Sequence, residues 1–103
     1  MVTFNYNPDE KVITAIFAGR LDTLAVQKLS EIIMLNLPLK DGKSEDKVIF
    51  DLTGVEYISS SFIRICLNIA KQAGSGMFSI IHCQPFIKKT FKISGLDELL
   101  NVT

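Results

Sequence analysis

A chain of 103 residues is expected to form a single domain over residues 1–103, because two halves would each be too small to bury a core. Hydrophobic residues make up 48% and charged residues 21%, a balance that excludes an intrinsically disordered chain. Eleven basic and eleven acidic side chains give a formal net charge of zero, evenly spread along the chain, which argues against a grip on nucleic acid or an anionic membrane.

In chain order, Val2 to Tyr6 alternates weakly and stops at the turn-rich Asn7-Pro8-Asp9-Glu10. Val12 to Ala18 is β-branched and aromatic, with Gly19 closing it, so the pair reads as a hairpin or two neighbouring strands. Asp22 or Thr23 offers an N-cap to a first helix, in which Leu24, Ala25, Leu29, Ile32 and Ile33 recur at helical spacing. Pro38 stops that helix, and Lys40 to Asp46 reads as a charged surface loop. Lys47 to Leu52 is an apolar run expected to be a strand buried on both faces, with Thr53-Gly54-Val55 turning the chain. Ser59-Ser60-Ser61 leads into a second helix that ends near Gly74, followed by a Gly74-Ser75-Gly76 turn. Met77 to His82 is a further buried strand, Pro85 starts a third helix through about Ile93, and Asp97 to Leu100 reads as a last helical turn. The alternation predicts an α/β sandwich with a mixed sheet of four to five strands and about four helices.

No segment reaches the roughly 18 apolar residues of a membrane span, and Met1 to Lys11 has no basic-then-apolar leader pattern. Cys66 and Cys83 are expected to be reduced, buried thiols, and the expected location is the cytoplasm.

The most informative stretch is Val48 to Gly74. The first turn of a helix exposes unpaired N–H groups, and a serine oxygen can accept from them. The simplest reading of the triple serine is therefore one cap and two solvated hydroxyls. On the helix that follows, Ile63, Cys66, Leu67, Ala70 and Ala73 share a face suited to packing on the sheet, and Arg64, Asn68, Lys71 and Gln72 lie opposite. Phe62, Ile65 and Ile69 widen the apolar arc to about 200°, beyond what a surface helix requires. That flank is either a docking surface for another protein or is covered by a neighbouring element. A phosphate on a serine at the helix start would be comfortable at the positive end of the dipole, yet would add nearly two charges to a surface that a partner must cover.

At these residues the chain resembles the STAS domain family, and within it the anti-sigma factor antagonists. The resemblance spans nearly the whole chain: Gly19-Arg20-Leu21-Asp22, Val48 to Val55, Tyr57-Ile58-Ser59-Ser60-Ser61 and Ile93-Ser94-Gly95-Leu96. The usual family pattern at the helix start is Asp-Ser-Ser/Thr-Gly-Leu, with the first hydroxyl after the Asp as phospho-acceptor. By position, the resemblance implies Ser60 as acceptor, Ser61 as the second hydroxyl and Ser59 at the place of the Asp. Asp22 matches a family acidic residue that lies near the acceptor and contributes to kinase binding or phosphorylation. Ser59 removes one negative charge from the family pattern, and Phe62 puts a ring where Gly is customary.

The implied function is a regulatory binding module that engages a serine kinase/anti-sigma factor and is switched by phosphorylation at Ser60. Its expected partner surface comprises Asp22, Ser59, Ser60, Ser61, Phe62, Ile65 and Ile69. The alternative is a non-phosphorylated STAS-type subunit of a transporter or signalling assembly, with Phe62 plugging into a fixed partner; self-association is compatible with either. Gly42-Lys43-Ser44 is rejected as a P-loop, because Leu37 stands where its first Gly belongs and the segment follows a helix. His82, the single histidine, reads as a partly buried polar residue, since with Cys83 it lacks a zinc ligand set. A Ser60–His82–Asp22 triad is allowed by residue type, but no nucleophile-elbow pattern surrounds any serine. No catalytic, metal-ligating or cofactor-binding residue is therefore expected. Lys88, Lys89 and Lys92, interleaved with Phe86, Ile87, Phe91 and Ile93, read as a helix with a core side and a wet side, and no nucleic-acid partner is expected.

Overall fold

The chain opens with an antiparallel hairpin of β1 (Val2–Asn7) and β2 (Val12–Leu21), in register from Val2 opposite Phe17 to Asn7 opposite Val12. The computed structural model describes residues 1–37, 46–74 and 76–103. The hairpin turn is held by Asn7, whose Oδ1 accepts from the amides of Asp9 at 3.0 Å and Glu10 at 3.2 Å. Gly19 was expected to close β2, yet the strand continues through it to Leu21. Gly19 has φ +89°, a left-handed conformation that glycine adopts without strain because it has no Cβ, so the chain passes through it without leaving the strand.

Asp22 caps α1 (Thr23–Asn36): its Oδ1 accepts from the Ala25 amide at 2.9 Å. Val26, Leu29 and Ile33 form the buried stripe. Leu24 and Ile32, expected on that stripe, are exposed at 69% and 45%. Leu24 lies about 200° round the helix from Val26, so burying the Val26 stripe turns Leu24 to solvent. The helix ends before Pro38; that proline, Lys40 to Glu45 of the expected loop, the Gly42-Lys43-Ser44 segment and Ser75 lie outside the described residues.

The largest departure from expectation is β3 (Lys47–Ile58), which runs 12 residues and makes no turn at Thr53-Gly54-Val55. It pairs in parallel with β2, and the register slips between Ile16 and Ala18 and again between Gly19 and Arg20. At each slip β3 carries one extra residue, so the bulges absorb what the sequence suggests is a turn. Gly54 permits the close approach of the strands: a Cβ there would stand 3.3 Å from the Ala18 Cβ. Nor is β3 sealed on both sides. Val48, Phe50 and Leu52 are fully buried, whereas Ile49 and Asp51 on the other face are half-buried.

After α2 (Ser60–Ala73), β4 (Phe78–Ile81) adds to β3 in parallel, giving one sheet in the order β1-β2-β3-β4. Both parallel crossovers step the same way along this order, so right-handed connections put α1 and α2 on one face, where they pack together. The short α3 (Pro85–Ile93) follows, burying Ile87 and Phe91 but leaving Phe86 and Ile93 exposed, so apolar residues lie on its wet side too. Asp97 to Leu100 forms turns and not a helix, tied by Leu100 N–H to Leu96 O at 2.9 Å and Val102 N–H to Asp97 O at 2.8 Å. That arrangement lets Val102 bridge Ile80 beside the sheet edge. The described residues thus hold an α/β fold with four strands and three helices.

Candidate functional site

The serines lie where two strands end together. Leu21 pairs with Ile58 at the last register position of β2 and β3, and the Leu21 carbonyl accepts from the Ser59 amide at 2.9 Å. The residue after Leu21 is the α1 cap Asp22, and Ser59 is the α2 cap, so this bond ties two helix N-termini side by side. Each contributes unpaired N–H groups and the positive end of a dipole.

The hydroxyls divide their roles. Ser59 is buried, with 6% exposure, and its Oγ accepts from the Phe62 amide at 3.3 Å and pairs with the Ser61 Oγ at 2.8 Å. Ser61 is half-buried by that pairing. Ser60 is exposed, and its hydroxyl makes no hydrogen bond among the described residues. The cluster thus resolves into a cap, a brace and one hydroxyl that faces solvent.

The apolar flank expected for docking is not on the surface. Phe62 has 1% exposure and Ile69 none, while Ile65 is half-buried against the core. The Phe62 ring packs edge-on to Phe17 at 5.3 Å between centroids and lies 6.1 Å from Phe50, which itself contacts Phe78 at 5.0 Å. Filling that space rotates α2 by about 70° from the orientation its pattern suggests. The buried stripe is Phe62, Cys66, Ile69 and Ala73, and Ile63, Leu67 and Ala70 are only half-buried.

Exposed apolar residues close in sequence to the two helix caps are others. Leu24 projects from the first turn of α1, two residues past Asp22. Tyr57, 39% exposed, carries the Arg20 guanidinium over its ring at 4.7 Å. Neither Leu24 nor the Arg20–Tyr57 pair was assigned to a site from the sequence, although Arg20 and Tyr57 lie within the stretches that carry the family resemblance. Their pairing follows from register alone, since Arg20 faces Tyr57 only after the second bulge.

A second polar cluster also escaped sequence reasoning. Asp51 Oδ1 accepts from the Thr53 hydroxyl at 2.6 Å and the Thr53 amide at 3.0 Å, and Oδ2 lies 3.2 Å from His82 Nδ1. Gln84 Nε2 donates to the Thr53 carbonyl at 3.0 Å. His82 is exposed, where the sequence suggests partial burial; its backbone is left-handed at φ +59° and its ring meets Asp51. Burial pushes the Asp51 carboxyl up, but the Thr53 hydroxyl and amide and the His82 ring outweigh it and hold the carboxyl below its ordinary value of 3.8. A lowered folded-state value means that the carboxylate stabilises the fold above the unfolded-state value, and that this contribution is lost as pH falls through the folded one. Asp51→Asn is therefore expected to lower the urea midpoint at pH 7, with the difference from the parent chain shrinking at pH 3. Equal differences at both pH values would contradict this.

The Ser60–His82–Asp22 arrangement is not assembled. His82 bonds to Asp51, Asp22 bonds to the Ala25 amide, and no hydrogen bond among the described residues joins either to Ser60. Cys66 and Cys83 are free thiols; burial raises both, Cys66 well above its ordinary value and Cys83 to about 11, so both are protonated at neutral pH. Among the described residues no helix is long and apolar enough to cross a membrane.

Comparison with known proteins places the fold. A family model described as the STAS domain matches residues 11–103. The chain belongs to the STAS domain family. A solved anti-sigma-factor antagonist (STAS) domain protein from Planctomyces limnophilus superposes with a TM-score of 0.82 at 21% identity, covering 99% of this chain and 87% of that one. The anti-sigma factor antagonist SpoIIAA, solved in its unphosphorylated form, gives 0.74 at 15% identity, covering 100% and 88%. These two likenesses establish the STAS fold. By sequence, the chain is 34% identical over 62 residues to BtrV of Bordetella bronchiseptica, which is named for anti-sigma factor antagonism. That match spans 58% of this chain and 53% of BtrV, about half the relative's length.

Proposed function

We propose that this STAS domain is an anti-sigma factor antagonist of the cytoplasm, a binding module without catalytic machinery of its own. Unmodified, it binds a serine kinase/anti-sigma factor through the surface around Ser60, Asp22 and Leu24. The kinase transfers the γ-phosphoryl group of ATP to the Ser60 Oγ, releasing ADP, and the hydroxyl proton leaves to solvent or to a base of the kinase. The new dianion then repels the partner from that surface.

The observation that carries this reading is the unshared Ser60 hydroxyl, held exposed at a helix start between two serines already bound to each other. The name of BtrV and the fold shared with SpoIIAA support the same role. Leu24 takes the place in the contact patch that Phe62 and Ile69 vacate by being buried, and Ser59 and Ser61 serve the site by shaping it. A fixed subunit anchored by Phe62 loses its anchor for the same reason.

Incubation of the chain with its cognate serine kinase/anti-sigma factor and ATP tests the switch. Intact mass is expected to rise by one phosphoryl group, and peptide mapping to place it on Ser60, with none acquired by Ser60→Ala. A chain that acquires no phosphate within residues 59–61 would overturn the switch.

A further inference from the structure

A groove of 780 Å³ runs between the second half of α2 and the C-terminal segment, its lining including Arg64, Leu67, Ala70 and Lys71 of α2, with Phe78 and Leu99. We propose that this groove binds a small amphipathic carboxylate, an apolar body bearing one negative group. The proposal is independent of phosphorylation at Ser60.

The volume falls within the range of about 300–1,000 Å³ typical of small-ligand sites. Its walls include Leu67, Ala70 and Phe78, and Leu99, which stays 63% exposed although it is a large apolar side chain. Covering Leu99 removes apolar surface from water that the fold itself leaves wet. The charges define the ligand's polar end. Arg64 and Lys71 both line the groove and are exposed, seven residues apart on α2, which places them about 10.5 Å apart along one side of the helix. Neither makes an ion pair among the described residues. Two unneutralised cations beside an apolar concavity complement an anion with a hydrocarbon or aromatic body.

Glu98 is the one acid among the described lining residues, and the carbonyl end of α2 meets the groove at Gly74. The carbonyl end disfavours a carboxylate there, and Lys71, in the last turn of α2, already faces that partial negative charge. The acid group is therefore set against Arg64, whose planar guanidinium can donate to both of its oxygens, with the apolar body directed along Leu67 and Ala70.

Decanoate is a suitable probe, titrated into the ¹⁵N-labelled full chain and followed by amide shifts. Saturable shifts are expected at Leu67, Ala70 and Leu99, with affinity at least tenfold weaker in Arg64→Glu and in Leu99→Glu, both at exposed positions where folding is retained. Decyltrimethylammonium, of equal chain length and opposite charge, is expected to bind at least tenfold more weakly than decanoate. Absence of saturable groove shifts, parent-like affinity in either variant, or equal affinity for the cation overturns the proposal. Concentration-dependent shifts of the same amides without ligand would assign the groove to a second copy of the chain and overturn it equally. Because the unmodified chain is used and no kinase is present, the result is separable from the test of Ser60.

Discussion

Replacing Phe62 by Ala is expected to destabilise the chain by about 3–5 kcal/mol, the usual range for deleting a buried aromatic side chain. Phe62 is enclosed by Phe17 and Phe50, and its ring joins the aromatic cluster that continues to Phe78. Truncation removes apolar burial and leaves a cavity bounded by strands whose backbone hydrogen bonds resist collapse. Since a native domain is stable by only about 5–15 kcal/mol, a loss of this size takes a large share of the total. With a urea slope of about 1–3 kcal/mol per molar, the unfolding midpoint moves down by more than about 1 M. Phe62→Leu should recover part of the loss by refilling the space. Were Phe62 a docking anchor instead, Ala would leave the midpoint in place and weaken only partner binding.

Ser60→Asp is expected to lower affinity for the serine kinase/anti-sigma factor by about tenfold to a hundredfold, equivalent to about 1.4–2.7 kcal/mol. The position explains why the fold should tolerate the change. Ser60 is exposed, its hydroxyl holds nothing together, and a negative charge in the first turn complements the helix dipole. Stability of Ser60→Asp and Ser60→Ala should therefore stay within about 0.5 kcal/mol of the parent, as for surface substitutions generally. Ser60→Ala removes the acceptor without adding charge, so it should bind as the parent does and fail to release. Asp carries one charge where phosphoserine carries nearly two, so its effect is a lower bound on that of the phosphate.

How far the sequence foretells this molecule depends on which physical signal each element carries. The hairpin, the strand–helix alternation and the caps at Asp22 and Ser59 are local, written in side chains within three residues of where they act. The extent of β3 is not local. Thr53-Gly54-Val55 has turn composition, and only pairing with β2, with its two bulges, keeps the strand extended. The orientation of α2 is legible only in part, because an apolar arc of about 200° defines no single centre. Phe62 decides it by packing against the Phe17–Phe50 pair, whose members come from β2 and β3. Similarly, eight apolar positions on α1 compete for a stripe that takes Val26, Leu29 and Ile33, and Leu24, among those left out, stays exposed in the first turn.

Within the serine cluster, sequence identifies the hydroxyls and the structure ranks them. The Ser59–Ser61 pairing distinguishes Ser60 from its neighbours, and spacing alone carries no such distinction. The Asp51–Thr53–His82 cluster illustrates the opposite limit. Its members come from the middle of β3 and from the residue that follows β4, and His82 has a left-handed backbone conformation that no pattern announces.

The central claim is that one dianion on Ser60 closes a contact surface without disturbing the fold. The direct measurement is calorimetric titration of the serine kinase/anti-sigma factor with the unmodified chain and with the chain phosphorylated on Ser60, alongside the urea midpoint of each. Phosphorylation is expected to weaken binding by at least about a hundredfold, or about 2.7 kcal/mol, while the midpoint stays unchanged. Equal affinities for the two forms, or a loss of binding accompanied by unfolding of the phosphorylated chain, would contradict it.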